Sequence, residues 1–169
     1  MENMKAFLPF FQTLLGGLLT LMGLYFVQRR SDQREKDKLF RETVQEIFVL
    51  LLSVESNYVQ ECINFHKGVR DNDIERLRVS EYGSKAAASS DKAIALLELY
   101  FPFMDELVEN FCEVEAELMN FHSHVIDSFN DIKLATFDSN NELLSDKIAE
   151  AIMNIKYQLS ELMQKKIDF

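Results

Sequence analysis

Residues 6–27 read AFLPFFQTLLGGLLTLMGLYFV. About 20 mostly apolar residues suffice to cross a bilayer as a helix, so this stretch predicts a membrane span. Wound at 100° per residue, it has two unlike faces. Ala6, Pro9, Gln12, Thr13, Gly16, Gly17, Thr20 and Gly23 fall in one arc of about 140°. The rest of the circumference is Phe, Leu, Met and Tyr. A helix surrounded by lipid has no reason to sort its small residues to one side. A helix that packs on other helices does, because small side chains let backbones approach where no hydrophobic force operates. Gly16-x-x-x-Thr20 and Thr13-x-x-x-Gly17 both carry that spacing.

The flanks give direction. Lys5 is the only basic side chain before the stretch, whereas Arg29, Arg30, Arg34, Lys36, Lys38 and Arg41 follow it. Positive-inside logic predicts a single-pass protein of the cell membrane, with the amino terminus outside and the acidic domain in the cytoplasm. A cleaved signal peptide would have a shorter apolar core and a small-x-small cleavage site, and neither is present. The sequence therefore divides into a transmembrane signal anchor (1–28), a juxtamembrane stalk (29–42) and an acidic helical bundle (43–169).

The chain has 169 residues and a formal charge of −10. Residues 1–28 contain one acid, Glu2, and one base, Lys5, so the whole excess belongs to the soluble part. Such a domain is a poor ligand for nucleic acid, whose binding requires phosphate neutralisation. Two cysteines, Cys62 and Cys112, form neither a metal-ligand spacing nor a disulfide framework. With two prolines and five glycines in the whole chain, long helices are favoured.

Apolar residues recur at helical period through Phe40, Val44, Ile47, Phe48, Leu51, Tyr58, Cys62 and Phe65. A stop is expected near His66-Lys67-Gly68 and Asp71-Asn72-Asp73. A second helix runs through Ala86 to Tyr100, with Pro102 punctuating its end. A third carries Met104, Leu107, Phe111, Leu118, Phe121, Val125, Phe129 and Ile132. Phe137-Asp138-Ser139-Asn140-Asn141 reads as a loop with helix-capping residues. The last helix carries Leu144, Ile148, Ala151, Ile152, Ile155, Leu159 and Leu162. No stretch alternates as a strand would. The expected fold is all-α: one amino-terminal transmembrane helix followed by a bundle of about four amphipathic helices.

Candidate chemistry is sparse. His122 and His124 are two residues apart and point about 200° apart around a helix, poor geometry for one metal. Glu113, Glu117, Asn120, His124 and Asp127 share a helix face, most simply a solvated one. Cys62-x-x-x-His66 has one-turn spacing, but two ligands do not make a zinc site, and Cys62 reads as core. There is no glycine-rich phosphate loop, no Gly-x-Ser-x-Gly and no His-Glu-x-x-His. We expect no catalytic residues, no metal and no cofactor.

The layout, an amino-terminal span followed by a small cytoplasmic helical domain, resembles that of membrane effectors encoded beside bacterial phage-defence systems. The pore-forming accessory of an RNA-targeting CRISPR type has this layout. Its HEPN-type Arg/His spacing does not occur here, so the resemblance transfers no residues. Gln12, the one strongly polar side chain in the span, has two readings: a hydrogen bond between packed helices, or the lining of a water-filled lumen. The expected function is accordingly a non-enzymatic, self-associating membrane protein, either a pore or permeabilising effector or a tethered adaptor whose acidic bundle binds a cytoplasmic protein. Its expected partners are the lipid bilayer and further copies of itself.

Overall fold

The computed structural model describes the backbone of residues 2–78, 81–129 and 134–167, and the side chains of 15–77, 81–129 and 137–165. Every regular element among them is helical. The elements are α1 (Glu2–Asp71), α2 (Ile74–Arg78), α3 (Tyr82–Tyr100), a short 3₁₀ turn (Pro102–Met104), α4 (Asp105–Asp127) and α5 (Leu134–Ile167). The chain forms two compact units, residues 1–42 and 43–169.

In the first unit the side chains from Leu15 to Val27 are all exposed, the large apolar ones by 50–68%. Among the described residues no helix is long and apolar enough to cross a membrane. The side chains of residues 6–14, which open the predicted span and include Gln12 and Thr13, lie outside the described residues.

In the second unit, side-chain pairs define an up-down-up-down bundle. Ser53 meets Ser89 at 3.1 Å while Glu61 meets the backbone N–H of Gly83 at 3.2 Å, so α1 and α3 run antiparallel. Glu117 pairs with Lys147 and His122 with Asn141, which makes α4 and α5 antiparallel. Glu55 with Lys156 and His66 with Asp138 close α5 back on α1 in the same sense. Large apolar side chains from α1, α4 and α5 fill the centre, Phe65, Phe111, Ile152 and Leu159 among them. The buried stripe of α3 is different. It is Gly83, Ala86, Ser90, Ala93 and Leu97 at three- and four-residue steps, a narrow face that lets this helix sit close to its neighbours.

Local chemistry sets the ends. Asn72 adopts φ 56° just after α1. Its N–H donates to the Val69 carbonyl at 3.3 Å, and the Asp73 N–H donates to Gly68 at 2.8 Å. These are the two bonds of a Schellman motif. Asp73 then caps α2 by accepting from the Arg76 N–H at 3.1 Å. A β-branched residue at Asn72 must pay the left-handed penalty, so Asn72→Val is expected to lower stability by about 1–2 kcal/mol. Asn72→Gly should leave it nearly unchanged, and thermal melting of the two variants checks the difference. At the other end of α3, Pro102 occupies the first position of the 3₁₀ turn, where a missing N–H costs nothing.

One expectation is corrected. Residues 137–141 are not a loop but lie inside α5. Their polar groups are used across helices rather than as caps: Asp138 pairs with His66, and Asn141 bonds both His122 and the Cys62 carbonyl. Phe137 is buried against Phe65, Leu77 and Val125, which commits this turn to the core.

Candidate functional site

Two groups of residues stand out, one in each unit. On α1 within residues 1–42, a Cβ placed on Gly16, Gly17 or Gly23 would meet nothing within 4 Å, so this face is open to close approach. Thr20 lies on it and donates its hydroxyl to the Gly16 carbonyl at 2.8 Å. The hydroxyl is thereby satisfied within its own helix. Arg29, Arg30, Arg34, Lys36 and Lys38 follow, all exposed, with Lys38 3.7 Å from Glu42.

Inside residues 43–169 a polar layer crosses the core. Glu115 of α4 accepts hydrogen bonds from the Tyr58 hydroxyl and, at 2.9 Å, from the Ser90 hydroxyl, tying α1, α3 and α4 together. Burial and the Glu115 carboxylate both push the Tyr58 hydroxyl toward its protonated form. Glu61 is buried on α1 and accepts from the Gly83 N–H in the first turn of α3. A carboxylate there complements the positive end of that helix. A Cβ at Gly83 would stand 3.1 Å from the Glu61 Oε1, so a larger residue there would push this carboxylate aside by a few tenths of an ångström.

Deeper along the bundle, His122 is buried and lies flat on Phe65, the rings 3.8 Å apart and 10° from parallel. Its Nε2–H donates to Asn141 Oδ1 at 3.1 Å, while the Asn141 amide donates to the Cys62 carbonyl at 3.0 Å. This chain assigns the tautomer and leaves Nδ1 buried without a hydrogen-bond partner. Burial lowers the His122 pKa from 6.5 to about 4, against a smaller opposing effect of Asn141, so the ring is neutral at pH 7. Burial likewise pushes the Cys62 thiol up to about 11, which keeps it protonated and weakly nucleophilic.

No known protein family, characterised protein or solved structure matches this chain. Geometry therefore carries the reading. Glu113, Glu117, Asn120, His124 and Asp127 are all exposed, and Glu117 is engaged by Lys147 at 2.9 Å. His66 is turned to Asp138 at 2.8 Å, in a surface groove of about 350 Å³ between α1 and α5. Cys62 is core. Among the described residues no three His, Cys, Asp or Glu side chains are grouped to hold a metal ion. The polar layer holds helices in register.

Glu61 and Glu115 escaped the sequence reading, although a signal for both existed, and Asn141 was read there as part of a capping loop. Glu61 falls on the apolar stripe between Tyr58 and Phe65, and Glu115 on the stripe between Phe111 and Leu118. An acid at a core position of an amphipathic helix points to a partner donated by another helix.

Proposed function

We propose that this chain is a non-enzymatic, single-pass membrane protein that self-associates through the small-residue face of its amino-terminal helix, with the acidic bundle on the cytoplasmic side. The observation that carries the reading is the unbroken exposure of Leu15 to Val27, beside a second unit whose own core is complete without them. Water does not tolerate such a segment and a bilayer does. Gly16, Gly17, Thr20 and Gly23 supply a contact face, and the internally bonded Thr20 hydroxyl is compatible with hydrocarbon. The assembled spans form a permeation path, whose lining is the role that the sequence pattern suggests for Gln12 and Thr13, and the layout resembles that of phage-defence effectors.

Crosslinking in membranes tests the face. Gly17→Leu is expected to reduce the oligomer severalfold while the chain still partitions with lipid. Leu18→Ile, on the opposite arc, should change little. Reconstituted protein should release a small dye from vesicles, and Gln12→Leu should abolish release with the oligomer intact, because an apolar constriction dewets. An intact oligomer that never leaks would instead make the span an anchor and the bundle an adaptor. A chain that stays in the aqueous fraction would overturn the membrane reading altogether.

A further inference from the structure

Where the apolar segment of α1 ends, its first basic residues gather on one side. Phe26, Arg29, Arg30, Gln33 and Arg34 line a shallow surface pocket of about 480 Å³. Phe26, Arg30 and Arg34 follow at four-residue steps, within an arc of about 80°. Asp32 and Glu35 lie about 160° and 140° around the helix from Arg30. Asp37 returns to the pocket's side only a turn further on, where Arg41 follows it at i+4 spacing. Arg29, Arg30 and Arg34 are exposed, and among the described residues none of them forms an ion pair, Arg29 with Asp32 included. Elsewhere on exposed helix Lys38 and Lys85 do pair with acids one turn away, as long side chains at that spacing commonly do.

Charge and position together select what this face can meet. Residues 1–42 hold seven bases and five acids, whereas residues 43–169 hold 11 bases and 23 acids. An anionic surface therefore repels the bundle, and the arginine face is where such a surface can be approached. Tyr25 and Phe26, their rings 6.1 Å apart, close the apolar segment, the place where aromatic side chains sit at headgroup level. At 1.5 Å per residue, the backbone of residues 29–34 stands about 4–12 Å beyond Phe26 along the axis. A headgroup layer is about 5–8 Å deep, so all three guanidinium groups reach it.

We propose that this face binds the phosphate of an anionic lipid. Arg30 and Arg34 donate to the phosphate oxygens, Arg29 adds its charge from the side, and Phe26 rests against the upper acyl chains. Arginine suits this role because its planar fork donates two parallel hydrogen bonds to one phosphate. A zwitterionic lipid has the same phosphate, but its own ammonium cancels the charge. The inference rests on the proposed span, which brings headgroups to this level. A lipid held here fixes the depth at which α1 leaves the bilayer.

Fluorescence quenching in the full-length chain tests it. The chain has no tryptophan, so Tyr25→Trp, beside the pocket and not lining it, supplies a single fluorophore. The protein is reconstituted into vesicles of phosphatidylglycerol and phosphatidylcholine in equal parts, with bromine on the acyl chains of one lipid or the other. Bromine quenches only a neighbouring indole, so the ratio of the two efficiencies reads which lipid is held. Phosphatidylglycerol should be preferred by about fivefold or more, the effect of one basic residue at such a surface. Arg29→Gln, Arg30→Gln and Arg34→Gln together should bring the ratio close to unity. Equal quenching with the arginines in place would overturn the inference and leave the span reading standing. Loss of the preference on adding inorganic phosphate, or a short RNA, at fixed ionic strength would also overturn it, by making the face a site for soluble phosphate esters. Quenching confined to anionic vesicles, by a chain that high salt washes off them, would uphold the lipid site and overturn the span.

Discussion

Phe65→Ala is expected to cost about 3–5 kcal/mol, the range for removing a fully buried aromatic ring. Phe65 is buried at the junction of Leu77, Val125 and Phe137, with Val69 and Phe121 packed around the cluster. Two further features raise the cost. The ring is the flat partner of His122, so its loss exposes one face of a buried imidazole. The cluster also joins α1, α2, α4 and α5, and four elements cannot collapse together into one vacancy. A fall in melting temperature of roughly 10 °C or more should follow. Phe65→Leu, which keeps most of the volume, should cost roughly half as much. Equal melting of Phe65→Ala and the parent would show that the cluster is not packed as described.

The second large effect is a dependence on pH that originates at one residue. His122 binds a proton in the unfolded chain with a pKa near 6.5 but in the folded chain only near 4. The unfolded state therefore holds more protons between these values, and stability falls as pH falls through that window. The full contribution is present above pH 6.5 and is lost by about pH 4. A gap of this size corresponds to about 3 kcal/mol. His122→Gln keeps an amide donor for Asn141 but takes up no proton. Its stability relative to the parent should improve by about 2–3 kcal/mol between pH 7.5 and 4.5, measured by thermal melting at both values. Parallel loss of stability in parent and variant would assign the acid sensitivity to carboxylates elsewhere.

Much of the helical architecture was legible because α1, α4 and α5 bury large apolar residues at regular spacing, and periodicity reports that directly. α3 was harder to place. Its first half, from Gly83 to Ser90, buries glycine, alanine and serine, so it has little apolar contrast to detect. The misread turn at residues 137–141 failed for a different reason. Asp, Ser and Asn favour caps and loops when their side chains satisfy nearby backbone, but here Asp138 and Asn141 reach α1 and α4. Local preference lost to long-range partners. The same holds for the polar layer, since nothing near Glu115 in sequence reveals that Tyr58 and Ser90 will meet it. The small-residue arc of residues 6–27 was legible only as a pattern: a Cβ on Gly16, Gly17 or Gly23 would meet nothing within 4 Å, and among the described residues no helix is long and apolar enough to cross a membrane. Gln12 and Thr13 lie outside the described side chains.

The ion pair between Glu55 and Lys156 joins residues 101 positions apart, and this separation has a consequence for biosynthesis. The helix that supplies one wall of the core leaves the ribosome first, and the helix that closes the bundle over it leaves last. At about 5–20 residues per second, the inner stripe of α1 waits some seconds for its cover. During that interval this stripe, and the apolar segment before it, face whatever surrounds the nascent chain. Early capture of these apolar surfaces by a chaperone that shields helices would therefore decide the yield of folded protein as much as the final stability does.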